Sequence, residues 1–202
     1  MNSWMGAFGI PVGYLLGSIP SGYWAGKWLK NIDIRAYGSK STGATNVLRV
    51  LGKGPAAAVF AADVCKGVLA VLSAQFLGQG SDLWVIAAGL MAILGHSKSI
   101  FLNFSGGKSV AVSIGLLLAM DWRVGLCALV LWAVIVGLTR WVSLGSVLAA
   151  IAIAPMMYLF GNPLSYVIFG AVGGLYVVIR HKANVQRLLK GTEPRIGENV
   201  KI

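Results

Sequence analysis

Residues Pro55–Leu77 read PAAAVFAADVCKGVLAVLSAQFL. A helix needs about 20 apolar residues to cross a bilayer core, so this run predicts a membrane span. Asp63 and Lys66 lie inside it at i,i+3. Such a pair either neutralises itself or marks a functional site.

The rest of the chain extends the same reading. Of its 202 residues, 57% are hydrophobic and 11% charged, with a mean hydropathy of +0.77; soluble domains are about one-quarter charged. Further apolar runs cover roughly 4–24, 83–96, 109–120, 122–139, 143–160 and 164–180, the third and fourth spans being short. The expectation is an all-α, polytopic membrane protein: seven transmembrane helices in a single domain, 1–202, with a loosely ordered cytoplasmic tail from 191 to 202. Met1–Lys27 is too long for a cleavable signal peptide and lacks its basic start, so it reads as the first span. Within that span Gly17-Ser18-Ile19-Pro20-Ser21-Gly22 predicts a kink at Pro20 and a close approach of another backbone. Cys65 and Cys127 sit in apolar runs without metal-like spacing and read as buried core residues. No internal repeat is present.

Charge fixes the expected orientation. The first connection carries Lys27, Lys30, Arg35, Lys40, Arg49 and Lys53 against Asp33, the third Lys98 and Lys108, and the fifth Arg140. The connections between them hold only Asp82, the balanced Asp121 and Arg123, and the uncharged Gly161-Asn162-Pro163. The C-terminal segment has six cations against Glu193 and Glu198. Positive and non-positive connections alternate, which predicts an outside N-terminus and a cytoplasmic C-terminus. The net charge of +11 then reflects this bias and an anionic substrate or lipid surface, not nucleic acid.

The polar clusters fall on the predicted cytoplasmic side. Gly38–Arg49, GSKSTGATNVLR, gathers hydroxyls, an amide and two cations without a carboxylate, a composition suited to phosphate and not to metal. Gly95-His96, Phe104-Ser105-Gly106-Gly107-Lys108-Ser109, Trp141-Val142-Ser143 and Arg180-His181-Lys182-Ala183-Asn184 accompany it. GGKS is not a nucleotide-binding loop, because Leu102 stands where the first glycine belongs. Its glycines, opening a helix, can still offer N–H groups to an anion. On a continuing helix Asn184 shares a face with Arg180 and His181. His96 and His181 lack a third ligand for zinc, and no His-x4-Asp or G-x-S-x-G arrangement occurs. Chemistry in such a pocket calls for an already activated donor, such as an acyl-phosphate, with cations and N–H groups stabilising the developing charge.

The motifs GSxxxGATNVLR (Gly38–Arg49), the Gly17–Gly22 break, D-x-x-K-G (Asp63–Gly67), GGK (Gly106–Lys108) and RHxxN (Arg180–Asn184) together resemble the bacterial PlsY family, from the first span to about Leu189. The resemblance implies an inner-membrane enzyme whose active site faces the cytoplasm. It implies transfer of a fatty acyl group from acyl-phosphate to the 1-hydroxyl of glycerol 3-phosphate, without cofactor, metal or protein base. By motif position, Ser39, Arg49, Lys108, His181 and Asn184 are the implied catalytic residues. Thr45, Asn46, Lys66, Gly106, Gly107 and Ser143 are the implied substrate-binding ones. Glycerol 3-phosphate, fatty acyl-phosphate and membrane lipid are the implied partners of a monomer, with a possible association with the enzyme that makes acyl-phosphate. Two departures stand out: the family's GSGN is Gly38-Ser39-Lys40-Ser41 here, and its KGGKG is Ser105-Gly106-Gly107-Lys108-Ser109. The competing reading is a small transporter or channel for phosphate compounds, which calls for polar residues deep in several spans.

Overall fold

The computed structural model describes residues 3–198, and among them every regular element is helical. After a 3₁₀ turn at Ser3–Phe8 come α1 (Gly9–Ser18), α2 (Ser21–Lys30), α3 (Ala44–Leu51), α4 (Lys53–Leu77), α5 (Asp82–Ser97), α6 (Val110–Met120), α7 (Trp122–Thr139), α8 (Val142–Leu159), α9 (Leu164–Arg180) and α10 (Lys182–Leu189). Among the described residues three helices are long and apolar enough to cross a membrane, namely α4, α7 and α8. α9 and α10, bent by 61°, make a fourth if taken as one span, whereas α5 and α6 are shorter apolar helices.

The described residues form two compact units, with Leu116 closing the first and Leu117 opening the second. In the first unit, α1 packs on α5 through small residues. A methyl at Gly13 or Gly17 would strike the carbonyl of Ala88 or Ala92, so the two backbones approach as small-residue membrane interfaces do. The expected break falls at Ile19-Pro20, because Pro20 offers no N–H to the preceding turn. The chain then resumes as α2 and runs past Trp24 to Lys30. In the second unit α8 packs between α7 and α9, with Trp132 Nε1 donating to Ser146 Oγ at 3.3 Å.

Large apolar side chains cover the outer faces: Leu126, Val130, Val134 and Leu138 recur every four residues along α7, all exposed. Water would penalise such a stripe; lipid does not. The same physics corrects the expectation for the cysteines. Cys65 is exposed and Cys127 half-buried, since an apolar residue of a span needs lipid or protein around it and not necessarily a core.

The tail also departs from expectation. The segment after α10 is ordered back onto the α7–α8 turn: Ile196 N–H donates to Arg140 O at 2.9 Å, Trp141 Nε1 donates to Glu193 O at 3.1 Å, and Arg195 lies 4.9 Å over the Trp141 ring. A buried carboxylate anchors it, as described below. Only Asn199–Ile202 of the expected tail lie outside the described residues.

Candidate active site

Asn46 builds the first polar cluster. It lies near the start of α3, 1% exposed. Its Oδ1 accepts from Ser39 N–H at 2.8 Å, and its Nδ2 lies 3.0, 3.1 and 2.8 Å from the carbonyls of Ile34, Tyr37 and Ser41. One side chain thus ties down four backbone groups of a loop that has no ladder of its own. Gly38 has φ +56 and its missing Cβ leaves room for Asn46 Oδ1. The hydrogen-bonding capacity of Asn46 goes into the loop, which presents Ser39 outward. Thr45 and Arg49, both half-buried, share a face of α3 at i,i+4.

Both departures from the family pattern gain a physical reading. Lys40 has φ +55 and Ser109 φ +64, the left-handed region that glycine enters without cost. Ser109 offsets this with a bond from its Oγ to Ile93 O at 2.8 Å. Ser105 meets another need: its Oγ accepts from Arg35 Nη1 at 2.9 Å and donates to Leu102 O at 2.7 Å. Arg35 in turn is held by Asp33 at 2.7 Å and lies 5.2 Å over the Tyr23 ring. The hydrogen bond from Arg35 keeps the Asp33 carboxyl below its usual range. A lysine at 105 would face Arg35.

The glycines of the second motif are required first by His96. A methyl on Gly106 would strike the His96 carbonyl, and one on Gly107 the imidazole Nε2. Gly107 N–H donates to His96 O at 3.0 Å, so that group is turned inward, contrary to the expectation of an N–H offered to an anion. The helix proper starts only at Val110. Lys108 stands half-buried on this loop.

Lys66 is buried, and its Nζ lies 2.6 Å from both Asp63 Oδ1 and Ile19 O. The ion pair therefore satisfies a carbonyl at the Pro20 break. Ser99 Oγ does the same for Ser18 O at 2.6 Å, the partnering that a broken helix in lipid demands.

In the second unit two of the functional candidates, Ser143 and Asn184, meet on Glu193, a residue that sequence reasoning counted only as a tail charge. Glu193 is 7% exposed. Its Oε1 accepts from Ser143 Oγ at 2.7 Å and from Asn184 Nδ2 at 2.6 Å, and its Oε2 from Arg187 Nε at 2.7 Å. Burial opposes the charge, but these three donors outweigh it and hold the carboxyl below its ordinary value. The one signal in the sequence was an acid within a cation-rich segment.

His181 lies at the bend between α9 and α10, which replaces the continuous helix expected there. The Val177 carbonyl takes both the His181 N–H at 3.1 Å and the ring Nδ1 at 2.7 Å. A carbonyl only accepts, so Nδ1 carries a proton and the ring orientation is fixed through it. Ser39, Thr45, Asn46, Arg49, Lys66, Gly106, Gly107 and Lys108 thus belong to the first unit, and Ser143, His181 and Asn184 to the second.

Known proteins give this arrangement a context. A family model described as glycerol-3-phosphate acyltransferase matches residues 7–191. A glycerol-3-phosphate acyltransferase of Trichormus variabilis is 51% identical over 99% of this chain and 96% of its own. One from Gloeobacter violaceus is 54% identical over 97% and 98%. Among solved structures, PlsY, an integral membrane glycerol 3-phosphate acyltransferase, matches in its glycerol 3-phosphate form with a TM-score of 0.89 and 37% identity, over 95% of this chain and 96% of that one. Its lysophosphatidic acid form matches with a TM-score of 0.87. The chain belongs to the glycerol-3-phosphate acyltransferase family.

Proposed function

We propose that this chain is an acyl-phosphate-dependent glycerol-3-phosphate O-acyltransferase of the bacterial inner membrane. The observation that carries the reading is the likeness to PlsY, solved with glycerol 3-phosphate and with lysophosphatidic acid, which are the acceptor and the product of one reaction. The 1-hydroxyl of glycerol 3-phosphate attacks the acyl carbon, the bond from that carbon to the phosphate oxygen breaks, and phosphate departs with the electron pair. The hydroxyl proton passes to the departing phosphate, so lysophosphatidic acid and inorganic phosphate account for every atom.

The state of the acids supports this donor. Asp33 is paired with Arg35, Asp63 with Lys66, Asp121 with Arg123 and Glu193 with Arg187; Glu198 accepts from Arg195 N–H, and Asp82 is also engaged. A reaction without a carboxylate base suits a leaving group that departs unassisted. Arg49 and Lys108 are assigned to the phosphates, with the Ser39 and Thr45 hydroxyls. His181 and Asn184 are assigned to the charge that develops as the acyl group transfers.

Charge alternation supports seven spans with the N-terminus outside and these loops in the cytoplasm. A single family model running through residues 7–191 supports one acyltransferase domain. The test is turnover by purified protein in detergent. Palmitoyl-phosphate with glycerol 3-phosphate should yield equal amounts of phosphate and lysophosphatidic acid, and palmitoyl-CoA should yield neither. Folded protein that transfers no acyl group from palmitoyl-phosphate would sink the reading.

A further inference from the structure

The Asp63 carboxylate is 2% exposed and stands between the two loops of the first unit that carry the proposed phosphate ligands. On one side it holds Lys66 Nζ at 2.6 Å, and Lys66 grips Ile19 O at the Pro20 break. Three residues beyond that carbonyl, Gly22 on α2 abuts the Gly38–Arg49 stretch so closely that a methyl there would overlap Thr42 O. On the other side the same Oδ1 lies 3.9 Å from His96 Nδ1, and the far edge of that imidazole is the surface on which Gly107 rests. Each loop is therefore one intermediary away from a single buried charge.

Resting on the function proposed above, we propose that Asp63 is a positioning residue, with Lys66 as its arm toward the Ser39–Thr45 loop and His96 as its arm toward the Gly106–Lys108 loop. Neither Lys66 nor His96 is needed as a direct phosphate ligand in this arrangement. Lys66 caps a broken helix and sets the direction of α2, and His96 sets the height of the glycine loop. A bare neutralising pair in lipid has no reason to involve either loop.

The two accounts separate in the full-length enzyme with Asp63→Asn and with the double substitution Asp63→Leu/Lys66→Met, which leaves no unpaired charge. Asp63→Asn should raise the KM for glycerol 3-phosphate about tenfold, with a much smaller change in kcat. The double variant should regain thermal stability in detergent but keep the raised KM. Deuterium exchange gives a readout independent of turnover: peptides covering residues 38–49 and 104–110 should exchange faster in the double variant, and those from α8 and α9 should not. A double variant with wild-type KM, or with unchanged exchange in both loops, would overturn the proposal. An inactive wild type would count against the acyltransferase reading instead, and the exchange data would still decide the role of Asp63.

Discussion

Glu193 accepts a hydrogen bond from Asn184 Nδ2 at 2.6 Å, so a residue beyond the last helix orients a side chain of the RHxxN motif. The carboxylate is stabilised in the folded state, and its pKa there lies below the usual 4.5. Its contribution is therefore complete above that usual value, which the unfolded chain keeps, and is lost as pH falls through the folded value. Protection of the Ile196 amide, bonded to Arg140 O, should hold from neutral pH to about pH 5 and fall at lower pH. In Glu193→Gln that protection should be weaker throughout and lack the acid transition. An unchanged transition would separate the tail from Glu193.

Asn46 ties four backbone groups of its loop, so Asn46→Ala leaves several buried partners unmet and should cost about 2–4 kcal/mol. Asn46→Asp should be worse, because it sets an anion against three carbonyl oxygens. Thermal unfolding in detergent measures both. Equal stabilities of the two variants would contradict the geometry.

Lys40 occupies a left-handed conformation, where a β-branched residue costs most. Lys40→Val should lower stability by about 1–2 kcal/mol, whereas Lys40→Gly should stay within about 1 kcal/mol of the parent, strain relief being offset by unfolded-chain entropy. A destabilised Lys40→Gly with intact Lys40→Val would show that the lysine side chain, not the backbone, matters there.

Ser105 accepts from Arg35, so Ser105→Lys, which introduces the lysine that the family resemblance implies at this position, should raise rather than lower the KM for glycerol 3-phosphate in this chain. Pairing it with Arg35→Ser should recover much of the loss. Additive effects in that double-variant cycle would disconnect the two positions.

Topology is open to cysteine labelling once the exposed Cys65 and half-buried Cys127 are replaced by alanine. In intact cells Ser81→Cys should react with a membrane-impermeant maleimide, and Lys190→Cys should react only after permeabilisation. The reverse pattern would invert the orientation proposed from charge.

The sequence by itself determined that the chain is helical and apolar, where its first helix breaks, and which family its motifs resemble. Those properties follow from run length, a proline without an N–H, and residue types at short spacing, all local quantities. α7 was read to within a residue, because Asp121 ahead of it and Arg140 behind it end the apolar run. Only the tertiary structure decided what the polar atoms are spent on. It assigned Asn46 to a loop and Lys66 to the carbonyl of Ile19, 47 residues away. It joined Glu193 to Ser143 across 50 residues, and it turned Cys65 outward. No periodicity encodes such pairings. They arise when burial leaves no water for a charge or an orphan carbonyl, so that each must find its partner wherever the fold brings one near.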